Sequence, residues 1–318
     1  MAAGEAGYVG RLAPSPTGAL HLGNVRTFMI AWLRARALGG RVIMRMEDLD
    51  HPRDKPGAAA AAIDDLRWLG FDWDESYTQS ARKRDYGAAL GKLLAAGKVY
   101  PCVCSRRDVE AAQSAPHALD QLYYPGTCRG RFASWDAAAQ AIAPRLPCWR
   151  FRVEGVESRV AFEDVFAGPY ACDVAATLGD FPVARDAQGA GYTLAVVVDD
   201  AAMGVTEVVR GDDLLAATPA QILLQRALGL PMPAYCHVPL VVGPDGRRLA
   251  KRHGDTRIAA YRAAGVRPGR LLATLAASCG WCEEGEDDIT LAALVPRFTL
   301  GTIPHAPWCP SQTAEKML

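Results

Sequence analysis

Residues 11–24 read Arg11-Leu-Ala-Pro-Ser-Pro-Thr-Gly-Ala-Leu-His-Leu-Gly-Asn24 and connect a predicted strand, Tyr8 to Leu12, to a predicted helix. The helix is expected from about Leu22 to Leu38, because apolar residues recur on one face at helical spacing. Its first backbone amides and its dipole therefore point at whatever occupies the preceding loop. A polyphosphate is the expected occupant.

A second motif, Arg248-Leu-Ala-Lys-Arg252, lies far downstream. It follows a predicted strand at His237 to Val242 and a turn at Pro244-Asp-Gly246. On its own such a loop would be interpreted as a solvated basic turn. Paired with the first motif, it indicates a nucleotide site that is built from two distant parts of the chain.

Bulk composition limits the classes of protein that fit. The chain has 318 residues, half of them hydrophobic, which is enough for one large or two moderate domains with proper cores. Lys plus Arg and Asp plus Glu number 35 each, so contact with nucleic acid would need a local basic patch. The sequence has no long apolar run and no export signal, and it predicts a soluble, cytoplasmic protein with reduced thiols.

Strands and amphipathic helices alternate in the first hundred residues. The pattern predicts a strand at Val42 to Glu47 and helices at about Ala58 to Leu69 and Ala81 to Ala96. This order favours a parallel sheet with crossover helices and a ligand crevice at the carboxyl ends of the strands.

The alternation is interrupted from Tyr100 to about Phe181, which predicts an insertion. It resumes at Tyr192 to Val198 and at Val205 to Arg210. Thr218 is predicted to cap a helix that begins at Pro219, and a last helix is expected around Pro268 to Ser278.

Several separated motifs occur in a fixed order. Besides the two above, they are Arg45-Met-Glu-Asp-Leu-Asp50, Ala195-Val-Val-Val-Asp-Asp200 and Val208-Val-Arg-Gly-Asp-Asp-Leu-Leu215. From about Gly7 to about Ala260 the chain resembles class I aminoacyl-tRNA synthetases, and more narrowly the glutamyl enzymes. Length and cysteine spacing are most similar to the short zinc-containing form, the glutamyl-Q tRNA(Asp) synthetases.

This resemblance implies an α/β fold with a Rossmann-like, parallel-sheet catalytic domain, a zinc-containing insertion and a short helical C-terminal region. The expected boundaries are 1–99 and 182–260 for the catalytic domain and 100–181 for the insertion, which would be an acceptor-type subdomain. Residues 261–318 would form the helical region, without an anticodon-binding domain.

Activating a carboxylate with ATP requires alignment and neutralised charge more than covalent help. By resemblance, His21 and Asn24 support the phosphates, Gly23 contributes to the ATP site, and Lys251 stabilises the departing pyrophosphate. The loop departs from the usual Lys-Met-Ser-Lys-Ser in having Arg248, Ala250 and Arg252. The missing hydroxyl groups put loop closure in doubt more than the positive charge.

The amino acid site is expected to take a dicarboxylate. Arginine matches a carboxylate with two parallel hydrogen bonds, and an acidic group can pair with the substrate ammonium. Which arginine takes the side-chain carboxylate stays open, and Asp199, Asp200, Asp212 and Asp213 are interpreted as structural caps. The resemblance places around glutamate Arg11, Leu12, Ala13, Pro14, Ser15, Glu47, Tyr192 and Arg210.

Cys102-Val-Cys104 and Tyr124-Pro-Gly-Thr-Cys128 offer three thiolates and a phenol. Tetrahedral zinc needs four such donors, although buried free thiols would explain the cysteines equally well. The resemblance implies one structural zinc held by Cys102, Cys104, Tyr124 and Cys128, with His117 and Tyr123 as competing fourth ligands.

Two further groups of residues can be interpreted from the sequence pattern alone. Five arginines after the cysteines predict a patch that follows RNA phosphates: Arg129, Arg131, Arg145, Arg150 and Arg152. Cys279 and Cys282 are interpreted as packing residues, because no thioredoxin-like context surrounds them.

The implied activity is formation of glutamyl-adenylate without tRNA, followed by transfer of glutamate to queuosine in the anticodon of tRNA(Asp). Few residues follow Lys251, which disfavours an anticodon-reading domain. The alternatives are a truncated glutamyl-tRNA synthetase that charges tRNA(Glu), a non-catalytic RNA-binding relative and a small-molecule nucleotidyltransferase. Expected partners are glutamate, ATP with Mg²⁺ and a queuosine-bearing tRNA(Asp), with no membrane or DNA, and the chain is expected to be a monomer.

Overall fold

The computed structural model describes residues 7–49, 55–111, 123–185, 189–247, 249, 256–283 and 285–310. Within these ranges the chain forms ten strands and eleven α-helices. The strands are β1 (Val9–Leu12), β2 (Arg41–Met46), β3 (Glu75–Thr78), β4 (Val99–Cys102), β5 (Cys148–Phe151), β6 (Arg159–Asp164), β7 (Gly168–Asp173), β8 (Pro182–Ala184), β9 (Glu207–Gly211) and β10 (Ala234–Val238). The helices are α1 (Leu22–Ala37), α2 (Ala58–Trp68), α3 (Lys83–Ala95), α4 (Arg106–Ala111), α5 (Trp135–Ile142), α6 (Val174–Thr177), α7 (Tyr192–Ala202), α8 (Thr218–Leu228), α9 (Ile258–Ala263), α10 (Pro268–Ala277) and α11 (Leu291–Leu294).

Two groups of parallel strands form the centre of the molecule. Strands β1, β2 and β3 form one group, and β9, β10 and β6 form the other, with β7 added antiparallel to β6. One core cluster packs α1 with the C-terminal helices, and a second packs α3, α7 and α8. Helices therefore cover both faces, which confirms the predicted α/β class with a parallel sheet.

The two groups meet along β1 and β9. The backbone N–H of Thr206 donates to the carbonyl of Val9 at 3.0 Å, and the N–H of Val9 donates to the hydroxyl of Thr206 at 2.9 Å. Further along, the contact is made by a side chain, because Nη1 of Arg11 donates to the carbonyl of Val209 at 2.6 Å. The strands thus diverge toward their carboxyl ends, where a crevice can form.

The segment predicted as an insertion is connected to the central strands by hydrogen bonds. Strands β4, β5 and β8 form a separate antiparallel sheet. However, the β6–β7 hairpin pairs with β10, and the N–H of Val165 donates to the carbonyl of Tyr235 at 2.8 Å. The boundaries at 100 and 181 stay a prediction, and the segment between them contributes strands to both sheets.

Two predicted boundaries, the start of α8 and the end of β10, differ from those in the structure. Ala217, not Thr218, is the N-cap of α8, and Thr218 is the first helical residue with Pro219 behind it. The strand predicted to reach Val242 ends at Val238, because Pro239 has no N–H to continue the ladder. Within the part of the chain that the structure describes, no helix is both long and apolar enough to cross a membrane.

Helix α1 provides a test of the core. Leu33 is fully buried on its inner face, so Leu33→Ala should lower the free energy of unfolding by about 2–5 kcal/mol in urea titrations. Leu38, the C-cap residue, is 51% exposed, and Leu38→Ala should change it by less than about 0.5 kcal/mol. Equal effects would contradict the burial of this face.

Candidate active site

A cavity of about 480 Å³ lies where β1 and β9 diverge, in front of the first turn of α1. Its wall comes from the loop after β1, from Glu47 after β2, from the start of α7 and from the ends of β9 and β10. The structure brings most of the predicted site residues to this one cavity. They are Arg11, Ala13, Pro14, Ser15, His21, Gly23, Asn24, Glu47, Tyr192 and Arg210.

Two predicted site residues, Leu12 and Lys251, are not among the described residues that line the cavity. Leu12 does not line the cavity, because its side chain is fully buried in the hydrophobic core. Lys251 lies outside the described residues, as do Arg248, Ala250 and Arg252. These assignments stay predictions.

The described residues on either side of the lysine loop lie beside the cavity wall. The N–H of Leu249 donates to the carbonyl of Val241 at 3.3 Å, and Val241 lines the cavity. The carbonyl of Thr256 accepts from the N–H of Leu22 at 3.1 Å, and Arg257 forms a β-bridge with His21. Both ends of the loop are therefore fixed next to the start of α1.

The first turn of α1 is capped by the histidine motif itself. Nδ1 of His21 accepts from the N–H of Gly23 at 3.1 Å, and Oδ1 of Asn24 accepts from the N–H of His21 at 3.1 Å. Because Nδ1 is an acceptor, the neutral ring carries its proton on Nε2. No acidic side chain lies in the first turn, so the helix dipole is not neutralised there.

Gly23 suits this close packing. A Cβ at this position would lie 3.1 Å from the ring of His21 and 3.4 Å from the Cβ of Val241. Glycine therefore lets the amide turn approach the ring and the end of β10 at the same time.

Three buried arginines lie at the carboxyl ends of neighbouring strands. Arg45 is fully engaged: Nη1 contacts Asp200 at 2.5 Å, and Nε and Nη2 contact Glu47 at 3.2 and 3.0 Å. Arg11 is not, since its Nε lies 4.0 Å from Asp200 and makes no hydrogen bond in the described chain. Arg210 has no carboxylate within salt-bridge distance among the described residues.

The electrostatics follow from this imbalance. Burial lowers the pKa of Arg11, and Arg45 and Arg210 lower it further against the attraction of Asp200. Burial also raises the pKa of Glu47, against the attraction of Arg45 and Arg11. An anion bound in the cavity would relieve the repulsion among the arginines.

Sequence reasoning missed two acids of this network. Asp199 and Asp200 were interpreted as caps, but α7 buries both. Asp200 holds Arg45, whereas Asp199 accepts from Gln79, Arg82 and Tyr86. The sequence did contain a signal for their role, because both acids directly follow the apolar run 194–198 on the same helix. Acids that such a helix buries need charged or hydrogen-bonding partners.

The predicted metal ligands also come together. The sulfurs of Cys102, Cys104 and Cys128 lie within 4.8 Å of one another. The hydroxyl of Tyr124 lies 3.2 Å from the sulfur of Cys102 and 3.6 Å from that of Cys104. The antiparallel pair β4–β5 adds Cys148 opposite Cys102, which sequence reasoning did not include.

Arg150 belongs to this cluster and not to an exposed patch. Its Nε donates to the sulfur of Cys102 at 3.2 Å, and its guanidinium lies 3.8 Å above the ring of Tyr124. The pKa of the Cys102 thiol is lowered, first by a hydrogen bond from Cys148 and then, against burial, by Tyr124 and Arg150. The surroundings therefore favour the thiolate at Cys102, whereas burial raises the pKa of Cys104 to about 12.

The predicted five-arginine patch is wrong in part. Arg150 is buried, and Arg129 makes a two-pronged ion pair with Asp180 at 2.5 and 2.9 Å. Arg152 lies 3.8 Å from Glu154. Arg131 and Arg145 are exposed and Arg152 is half-buried, so these three of the five are left as a basis for a phosphate-following surface.

The chain belongs to the family of class I tRNA synthetase catalytic domains for glutamate and glutamine, whose model, "tRNA synthetases class I (E and Q), catalytic domain", matches residues 9–303. The resemblance expected from the motifs is thereby confirmed.

Curated relatives are similar over most of the chain. A protein of Symbiobacterium thermophilum named glutamyl-Q tRNA(Asp) synthetase is 49% identical, over 94% of both chains. One of the same name from Rhodopirellula baltica is 49% identical, over 87% of this chain and 86% of its own. A glutamate–tRNA ligase of Heliobacterium modesticaldum is 39% identical over 93% of this chain, but only 61% of its own length is covered.

Solved structures agree on the fold. Glutamate-tRNA synthetase from Elizabethkingia anophelis superposes with a TM-score of 0.79 at 25% identity, covering 98% of this chain and 69% of its own. A glutamate tRNA ligase from Elizabethkingia meningosepticum, in complex with its amino acid, gives 0.80 at 24% identity over 98% and 68%.

The acid network predicts an unequal response to loss of charge. Asp200→Asn leaves Arg11 and Arg45 buried with one carboxylate fewer, and should lower the free energy of unfolding by about 3 kcal/mol in urea titrations. Asp287 lies 72% exposed at 3.7 Å from Arg267, so Asp287→Asn should change it by less than about 1 kcal/mol. A neutral effect of Asp200→Asn would refute the network.

Proposed function

We propose that the chain activates glutamate with ATP, without RNA, and transfers the glutamyl group to queuosine in the anticodon of tRNA(Asp). The observation that carries the proposal is the pair of incompletely paired buried arginines, Arg11 and Arg210, in one cavity with the capped start of α1. The same cavity thus suits a dicarboxylate at one end and a polyphosphate at the other.

The amino acid end of the cavity suits glutamate. Arg11 offers its unpartnered Nε and Arg210 offers Nη1 to carboxylates, and Glu47 offers an acceptor for the ammonium. Tyr192 lines the cavity as a hydrogen-bonding aromatic. The orphaned Nε of Arg11 supports this assignment, because a buried cationic donor without a partner is costly unless a ligand completes it.

The nucleotide end suits a triphosphate. Amides of α1 point at the loop, with His21, Gly23 and Asn24 at the turn. The glutamate α-carboxylate attacks the α-phosphorus; a carbon–oxygen–phosphorus anhydride forms, the bond to the β-phosphate breaks, and pyrophosphate leaves. Lys251 is proposed to stabilise the departing charge, helped by Arg248 and Arg252, with Mg²⁺ on the phosphates.

The acceptor is proposed from relatedness. Relatives whose name specifies glutamyl-Q activity are 49% identical, whereas the glutamate–tRNA ligase is 39% identical. In the second step the RNA acceptor attacks the acyl carbon, and AMP leaves. The chain is proposed to act as a cytoplasmic monomer, with residues 100–181 as the acceptor-type subdomain.

The metal site is proposed to hold one structural zinc. Three clustered sulfurs and the phenol of Tyr124 make four donors of the kind zinc binds. Cys148 is less suited, since no fourth His, Cys, Asp or Glu of the described chain joins the three sulfurs within 4.8 Å. Tyr124 is preferred to Tyr123 because its hydroxyl contacts the sulfurs of Cys102 and Cys104. His117 lies outside the described residues.

Glutamate-dependent exchange of labelled pyrophosphate into ATP should occur without RNA. Lys251→Ala should reduce it by about 100-fold or more, because the departing charge loses its cation. Lys92→Ala, on the exposed face of α3, is the matched control and should leave it unchanged. Full exchange in Lys251→Ala would refute the role of this lysine, and exchange only with added tRNA(Glu) would favour the charging enzyme.

The acceptor can be mapped directly. Labelled glutamate should enter tRNA pools that contain queuosine and should be recovered in the anticodon fragment. Pools without queuosine should stay unlabelled. Label at the 3′ end of tRNA(Glu) would overturn the proposed acceptor while leaving activation intact.

Metal analysis tests the zinc site. The purified chain should contain about one zinc, and Cys128→Ser should lose most of it because one thiolate ligand is gone. Cys172→Ser is the control. Cys172 forms a hydrogen bond with Thr177 outside the cluster, so this variant should retain its zinc. The site would be excluded if wild-type protein, purified from cells that were grown with added zinc, contained no metal.

A further inference from the structure

Behind Arg210 lies a buried series of hydrogen-bonded side chains that do not contact the cavity. Arg210 and His237 are register partners on the parallel strands β9 and β10. Nε of Arg210 donates to Nε2 of His237 at 3.0 Å. On the far side, Nδ1 of His237 lies 2.6 Å from Oδ2 of Asp164, at the end of β6.

These contacts fix the proton of the imidazole. The Nε of an arginine always carries hydrogen, so Nε2 of His237 must be the acceptor. The proton of the neutral ring then resides on Nδ1 and is donated to Asp164. Asp164 is held in turn by the backbone N–H groups of His237 and Ala167 at 3.0 and 2.8 Å from Oδ1.

The same network occupies two of the three nitrogens of Arg210. Nη2 donates to the hydroxyl of Thr218 at 2.8 Å and to Oε1 of Gln221 at 2.9 Å, while Nε is taken by His237. Nη1 makes no hydrogen bond to any described residue. Since Arg210 lines the cavity, the network leaves the N–H groups of Nη1 for a ligand.

We propose that His237, oriented by Asp164, is a positioning residue that holds Arg210 ready for a glutamate carboxylate, and that protonation of His237 releases this hold. The inference rests on the proposed function for the identity of the ligand. It assigns no contact between His237 and the substrate. It predicts that glutamate affinity depends on pH through a residue outside the cavity.

The surroundings of His237 determine the sign. Its charged neighbours are Asp164 from β6, Arg210 from β9 and Arg11 from β1. The other groups on it are uncharged: Tyr235 stacks on the ring, and Thr218 of α8 lies 3.2 Å from Nε2. Burial lowers the pKa of His237, Asp164 opposes this, and the two arginines add to it.

The ring is therefore neutral at pH 7. Acidification places a proton on Nε2, where it faces the hydrogen on Nε of Arg210, and brings two cations together. Arg210 must then move away from its partner. The KM for glutamate should rise as the pH falls, whereas the KM for ATP should stay nearly constant.

Two variants test the role kinetically. His237→Leu cannot accept from Arg210 and should raise the KM for glutamate by about 10-fold or more, with a smaller change in kcat. His237→Gln can place a carbonyl oxygen near the Nε2 position and should recover most of the affinity. Glutamine does not titrate, so the rise in KM at acid pH should disappear in His237→Gln.

His305→Leu is the matched control. His305 is exposed and stacks on Phe166, so its loss should leave the pH profile of the wild-type chain in place. Thermal unfolding of each variant separates misfolding from loss of affinity. Wild-type pH dependence retained in His237→Gln would overturn the inference.

A measurement without substrate separates this inference from the proposed function. Nitrogen-15 NMR of histidine-labelled protein at pH 7 should show His237 as the neutral tautomer with hydrogen on Nδ1. Hydrogen on Nε2 would overturn the inference whatever the activity. The expected tautomer in a chain that binds no glutamate would overturn the proposed function and leave the hold on Arg210 standing.

Discussion

The structure depends on how three buried arginines are paired. Arg45 is neutralised by Asp200 and Glu47, but Asp200 reaches Arg11 only at 4.0 Å, and Arg210 meets an imidazole and neutral oxygens. Burying guanidinium groups without full pairing is costly, and a fold tolerates it where a ligand completes the charge. Within the described chain, the cavity thus presents cationic N–H groups that no carboxylate fully pairs.

The fold places this incomplete pairing beside a phosphate site. Among the described residues, a single backbone–backbone hydrogen bond, from the N–H of Thr206 just before β9 to the carbonyl of Val9, joins the two groups of strands, which part where Arg11 and Arg210 lie. The loop from β1 closes the gap and ends in the His21 cap of α1. The proposed amino acid and nucleotide sites consequently lie at the two ends of one cavity, as transfer of an adenylyl group to a carboxylate requires.

Much of this arrangement could be predicted from the sequence, because it depends on local order. The strand, the loop and the start of α1 at Leu22 are written in one continuous stretch, and Cys102, Cys104 and Cys128 are close enough in sequence to suggest a cluster. Residues that act by pairing across the chain could not be found. His237 and Asp164 meet only because β10 and β6 are neighbours, and Arg150 looked like a surface cation until β5 placed it against Cys102.

If the incompletely paired Arg11 and Arg210 select the second carboxylate of the amino acid, a substrate without that charge should bind more weakly. Calorimetric titration with glutamate and with glutamine tests this selection most directly. The two amino acids have nearly the same shape and differ in charge only at the side-chain group. Glutamate should bind at least about 10-fold more tightly, since glutamine leaves a buried guanidinium without its anion. Equal affinity for the two would contradict the account.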